Sequence, residues 1–242
     1  MVSRNVNVDD FVPYQLDDLG VIVPHAAMYP KRWEWFWPQF CALTPQPVLK
    51  NTVVVYHWDG EKDYGVPPEV EVVRESGAQL AIVGRTGRGI AQSTMKGLEL
   101  CPSRIIARIA NDTLPTHDGW ALNTLWEFNK EPHLKILSYI AAPGPPYEYL
   151  RKICYAPWMD RLLKGGEYDY MSFFVGAFVI MNRVLWMGYY PLVARYTDFE
   201  REDIYLSLFS RADGIPVIRF GEHFKHCGKR FQDEIYDTQK KT

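Results

Sequence analysis

Gly84-Arg85-Thr86-Gly87-Arg88-Gly89 is a glycine-rich loop carrying two guanidinium groups. A turn of this kind, feeding a helix whose first N–H groups point outward, suits phosphate, and Arg85 or Arg88 suits neutralising a diphosphate. Gly84 and Gly89 have Walker-type spacing, but Ile90 and Ala91 stand where a Lys and a Ser or Thr are required, so a P-loop is rejected. A second stretch, Arg201 to Gly214, opens on the paired acids Glu202 and Asp203, continues through Ile204, Leu206, Leu208 and Phe209, and closes on Gly214. Ile204 and Leu208 lie four apart, which predicts a short helix with one buried face. The acids complement the dipole at its start, and Gly214 suits its C-cap. A third candidate is Asn111-Asp112, an acidic turn that closes the apolar run beginning at Ile105. Such turns commonly end strands for structural reasons alone.

Placing these groups together takes a sheet. Val21-Ile22-Val23-Pro24 predicts a buried strand that delivers His25-Ala26-Ala27 at its C-terminal end. Trp33, Phe36, Trp37 and Phe40 follow helical spacing, and Thr52 to Tyr56 reads as the second strand, followed by a polar turn with Asp59 and Asp63. Val70-Glu71-Val72-Val73 alternates, predicting a third, half-exposed strand, and Leu80 to Val83 predicts another. Ile105 to Ile109 is a strand. Trp120 to Lys130 is a helix starting at Asp118-Gly119, with Leu122, Leu125 and Trp126 on one face, and Leu134 to Ile140 is a strand beyond it. Ala142 to Tyr147 breaks regular structure, and the segment to Met171 has no clean pattern but many tyrosines. Phe173 to Asn182 is an apolar strand containing the small pair Gly176-Ala177, Val184 to Pro191 a short helix and turn, and Ile215 to Phe220 the last strand.

Composition narrows the possibilities. With 242 residues, 47% hydrophobic, the chain can bury a sizeable core in one domain. A net charge of −2 argues against a generally basic, nucleic-acid-coating surface. Cys41, Cys101, Cys154 and Cys227 are far apart with no Cys-x-x-Cys spacing, so they read as reduced thiols of a cytoplasmic protein, not as zinc ligands. No run approaches the roughly 20 apolar residues of a membrane span. No internal repeat is present.

Taken in order, the opening strand, the Asn111-Asp112 turn, the small-residue strand, the Glu-Asp helix ending in Gly214 and the later His226 with Gly228 resemble glycosyltransferase family 2, inverting enzymes of the GT-A fold. The resemblance implies an α/β domain, a three-layer sandwich with a mostly parallel central sheet. Its expected limits are an extension over 1–20, a nucleotide-binding half over 21–118, an acceptor and catalytic half over 119–228, and a tail over 229–242. It implies transfer of a sugar from a UDP-, GDP- or dTDP-sugar to a hydroxyl acceptor, which the sequence leaves open as glycan, lipid, protein or modified nucleic acid. Asp203 is then the general base, with Glu202 positioning it or the acceptor. The donor side takes Pro24, His25, Asp59, Arg85, Arg88, Gly89, Asn111, Asp112, Gly176 and Ala177. A divalent cation, Mn²⁺ or Mg²⁺, is held by Asp112 and His226. Two departures stand out: Ala110 replaces the first acid of the family's Asp-x-Asp motif, and Met95 replaces an Asn in the helix pattern met by Gly89, Ser93 and Gly97. They support an alternative, a non-catalytic sugar- or protein-binding relative. A nucleotidyltransferase of the same fold is the other alternative, though it expects a glycine-rich basic loop after the first strand, which Pro24-His25-Ala26-Ala27 does not supply.

Overall fold

The computed structural model describes residues 11–26, 30–57, 68–83, 90–131, 133–141, 173–196 and 202–227. The strands are β1 (Leu19–Ala26), β2 (Thr52–His57), β3 (Gln79–Val83), β4 (Ile105–Ile109), β5 (Thr113–Pro115), β6 (Ile136–Ala141), β7 (Phe173–Asn182), β8 (Val217–Arg219) and β9 (Phe224–His226). The helices are α1 (Pro30–Leu43), α2 (Gln46–Lys50), α3 (Pro68–Glu75), α4 (Ile90–Leu100), α5 (Trp120–Lys130), α6 (Arg183–Tyr196) and α7 (Glu202–Ala212). Seven strands form one sheet in the order β3-β2-β1-β4-β7-β6-β8, and β5 pairs with β9 in a separate two-stranded sheet. β1, β2, β3 and β4 run parallel, as do β6 and β8; β7 runs antiparallel to both β4 and β6.

Strands covered on both faces are largely apolar on both, which is why the runs in β1, β2 and β4 do not alternate. One face packs Ile22, Ile106, Val179 and Met181 under Leu98 of α4, Trp186 and Tyr190 of α6, and Leu206 and Leu208 of α7. The other packs Val21, Val23, Ala107, Ile109 and Phe178 under Trp33, Phe36, Trp37 and Phe40 of α1 and Trp120 and Phe128 of α5. The result is the three-layer α/β sandwich with a mostly parallel sheet.

Several sequence expectations need correction. Val70 to Val73 lies in α3, not in a strand: Val73 is buried while Val72 is 44% exposed, and Arg74 pairs with Glu71 one turn back. In α5 the buried face is Trp120, Ala121, Thr124, Leu125 and Phe128, so Leu122 and Trp126 point to solvent. α6 continues through Pro191 to Tyr196. The last strand is β9, after a 3₁₀ turn at Gly221–His223. Ahead of β1, the Tyr14 backbone exchanges hydrogen bonds with the Asn129 side-chain amide.

Candidate functional site

β1 and β4 are adjacent and parallel, so their C-terminal ends open onto the same edge of the sheet, and α1 starts beside it. His25, the seventh residue of β1, is 2% exposed and its ring packs on Trp33 and Tyr56, with centroids 4.5 and 5.3 Å away. Past β4 the chain turns tightly, with the Thr113 N–H bonded to the Ala110 carbonyl. The Asn111 amide then meets His25 Nδ1 at 2.7 Å. With the amide N–H donating, His25 carries its proton on Nε2. These two predicted donor contacts therefore bond each other inside the protein, through His25 Nδ1, and buttress the turn.

That turn presents Asp112. β9 pairs antiparallel with β5, His226 opposite Thr113, and the Cys227 N–H bonds the Asp112 carbonyl. This brings His226 Nε2 to 3.5 Å from Asp112 Oδ1. On the other carboxylate oxygen, Oδ2, stands Arg32 Nη1 of α1 at 3.6 Å. Burial pushes the Asp112 carboxyl up, but the hydrogen bond and charge of His226 and the charge of Arg32 outweigh it, holding it below the usual carboxylate value. His226 is raised in return, chiefly by its hydrogen bond to Asp112, with burial opposing.

β7 reaches the same edge. The Ala110 N–H donates to the Ala177 carbonyl, and the β6–β7 register shifts between Ser138 and Tyr139, so that Gly176 and Ala177 lie in a β-bulge. Bulges re-aim backbone beside functional sites, and small side chains leave room there. Pro24 lies within β1, opposite Val55.

Glu202 and Asp203 open α7 beside the other face of β4. Glu202 is buried, and its Oε1 lies 3.3 Å from Arg108 Nη2; the two side chains are 8% and 1% exposed. Tyr190 of α6 packs in the same environment, and burial drives its hydroxyl well above the usual phenol value. Glu202 thus anchors the start of α7 to the penultimate residue of β4. Asp203 is half-buried, its Oδ1 accepting from the Ile204 N–H, and Ser207 Oγ donates to its carbonyl. Gly214 follows with φ 59°, the left-handed conformation a glycine C-cap provides. Asp59, Arg85, Arg88, Gly89 and Gly228 lie outside the described residues.

Three features lie outside the sequence expectations. Arg32 is distant from Asp112 in the chain and lies beside the Trp stripe. Arg108 does leave a signal, a lone charge in an otherwise apolar strand. The third is a histidine pair, His117 Nε2 to His223 Nδ1 at 2.9 Å, with Asn123 beside it. It fastens the turn that leads into β9.

Asp112 and His226 offer one oxygen and one nitrogen donor to a common point, whereas Ala110 offers none and the Asn111 amide faces His25. Among the described residues no group of three His, Cys, Asp or Glu forms. Two protein ligands fit a divalent cation that takes its remaining oxygens from substrate phosphates and water, the usual habit of Mg²⁺.

No protein-family model matches the sequence, and no curated protein sequence matches it. Solved structures do. Glucosyl-3-phosphoglycerate synthase from Mycobacterium tuberculosis, in complex with Mn²⁺, uridine diphosphate and phosphoglyceric acid, is 13% identical, with TM-score 0.54 over 86% of this chain and 70% of that one. S. aureus TarS 1-349 is 11% identical, with TM-score 0.53 over 90% and 62%. The 4-diphosphocytidyl-2C-methyl-D-erythritol synthase from Anaerococcus prevotii is 14% identical, with TM-score 0.51 over 91% and 95%. Sheet order, the strand ends that carry Asp112, and these similarities agree: the chain has the GT-A-type, nucleotide-diphospho-sugar transferase fold.

Proposed function

We propose that this protein transfers a sugar from a nucleotide-sugar to a hydroxyl acceptor, with inversion at the anomeric carbon. The observation that carries the reading is the meeting of Asp112 with His226 at the end of β4, beside the bulge at Gly176-Ala177. In doubly wound sheets, ligands bind where strand C-termini open. Asp112 and His226 would hold a divalent cation there, and the cation would supply positive charge against the diphosphate leaving group. Asp203 accepts the acceptor's proton as the hydroxyl oxygen bonds to the anomeric carbon and the carbon–oxygen bond to the diphosphate breaks. Glu202 does not touch the substrate; its ion pair with Arg108 fixes the first turn of α7 and so the position of Asp203. Arg85, Arg88, Gly89 and Asp59 complete the donor side.

The test is a thermal-shift and calorimetric panel of UDP, GDP, CMP and dTDP with Mn²⁺, Mg²⁺ or EDTA, followed by turnover of the matching nucleotide-sugar. Stabilisation by one nucleotide, and its release from the sugar donor, supports the reading. Silence across the panel favours the non-catalytic relative. Nucleotidyl transfer remains a second reading because Lys31 and Arg32 open α1 soon after β1. Release of pyrophosphate from a nucleoside triphosphate, with no turnover of nucleotide-sugars, identifies it.

A further inference from the structure

We propose that Arg32 binds the diphosphate of the nucleotide and gives this site an affinity for nucleoside diphosphates that persists without metal. The proposal rests on the nucleotide-binding reading above and deepens it.

The charge of the cluster is the first argument. A site with two acids and no guanidinium carries −2 and repels a diphosphate until a dication arrives. Here Ala110 brings no acid, and Arg32 Nη1 lies 3.6 Å from Asp112 Oδ2, so that pair sums to zero. The second argument is anchoring. The Arg32 side chain is only 11% exposed, and its helix neighbour Trp33 is buried against His25 and Trp37. The guanidinium is therefore held at the mouth of β4 and is not swept through solvent. Third, a guanidinium stays charged at every working pH, and its fork of five donors lets one side chain serve a carboxylate and a phosphate oxygen together. Finally, the cluster opens on one flank, with Arg32 and Asp112 keeping 11% and 14% of their side chains exposed. Behind it His25 and Asn111 are buried against one another, whereas the His226 side chain on the opposite flank of Asp112 is 46% exposed.

Calorimetry of the full chain with UDP, GDP, CDP and dTDP, in Mn²⁺ and in EDTA, tests the proposal. The preferred diphosphate should still bind in EDTA. Arg32→Ala should weaken that metal-free binding about tenfold or more, the loss expected for one charge-assisted hydrogen bond, and Arg32→Lys should recover only part of it. Asp112→Asn supplies a test of sign. Removing the anion should tighten diphosphate binding in EDTA and weaken it in Mn²⁺. Arg32→Gln, which keeps length and polarity without charge, stands in if Arg32→Ala does not melt cooperatively. Binding that vanishes in EDTA, or an Arg32→Ala affinity equal to wild type in EDTA, overturns the proposal while leaving the transferase reading intact. Absence of binding by every diphosphate, with and without Mn²⁺, overturns the nucleotide reading and this proposal with it.

Discussion

Two side chains in this protein do different work from their neighbours in sequence. Glu202 and Asp203 are adjacent, yet Glu202 is sealed against Arg108 while Asp203 stays half-buried at the helix start. A buried ion pair is a poor source of net stability, but removing one partner strands a charge and typically destabilises by about 3–5 kcal/mol. Arg108→Ala and Glu202→Ala should each lower the unfolding free energy measured in urea by an amount in that range, whereas the double replacement Arg108→Met with Glu202→Met should be milder than either. A double variant as unstable as the sum of the singles would mean the two side chains do not act as a pair. Asp203→Asn should behave differently: thermal stability close to wild type, nucleotide affinity retained, and donor turnover reduced by roughly 10²–10⁴-fold. Reading these residues from sequence went halfway. The Glu-Asp pair and Asp112 stood out because acids at strand and helix ends carry a local signature. Arg32 could not, since its significance comes only from where the β1–α1 turn places it relative to β4.

At the scale of elements, legibility followed burial. β1, β2, β4 and β7 are covered on both faces, so each left a continuous apolar run that no helix surface would tolerate. α3 and α5 are surface helices, and there the pattern misled: two valines separated by one residue fit a strand as well as a helix, and an apolar Trp126 sits outside in α5 with Lys130 over its ring. β9 is only three residues long, too short to show any period, although it carries His226. α4 shows how a motif glycine acts through packing. A Cβ on Gly97 would come within 2.5 Å of Ile22 Cγ2 in β1, so only glycine lets the helix lie this close to the central strand. Gly97→Ala should destabilise by roughly 1–3 kcal/mol through overpacking. Trimming the neighbour, in Gly97→Ala with Ile22→Val, should restore part of that loss in chemical denaturation. A Gly97→Ala protein as stable as wild type would show that the α4–β1 contact is looser than this.

Across the whole molecule, the site is assembled by long-range closures, and the one that fetches His226 is pH-sensitive. The Thr116 N–H bonds the His223 carbonyl, Tyr139 OH donates to the Phe224 carbonyl, and the His117–His223 pair sits between them. A ring-nitrogen contact of 2.9 Å needs one nitrogen as donor and the other as acceptor, so it fails when both imidazoles are charged. His223 is held below the ordinary histidine value, by burial first, with Glu222 and Glu127 opposing that shift and His117 adding to it. The unfolded chain therefore binds this proton more readily than the folded one, and stability rises with pH across the window. The window runs from the unfolded value near 6.5 down to the lower folded value. His226, shifted the other way, contributes the opposite slope: its stabilisation grows as pH falls from its raised folded value to the unfolded value near 6.5, and is constant well below that. Urea midpoints should thus fall as the pH drops from about 6 to 5, and His223→Asn should flatten that fall without changing the stability above it by more than the loss of one hydrogen bond. An unaltered slope in His223→Asn would assign the pH dependence to other groups. If the pair is instead the fastening of the turn into β9, lowering the pH to about 5 should also speed amide hydrogen exchange in β9 more in wild type than in His223→Asn.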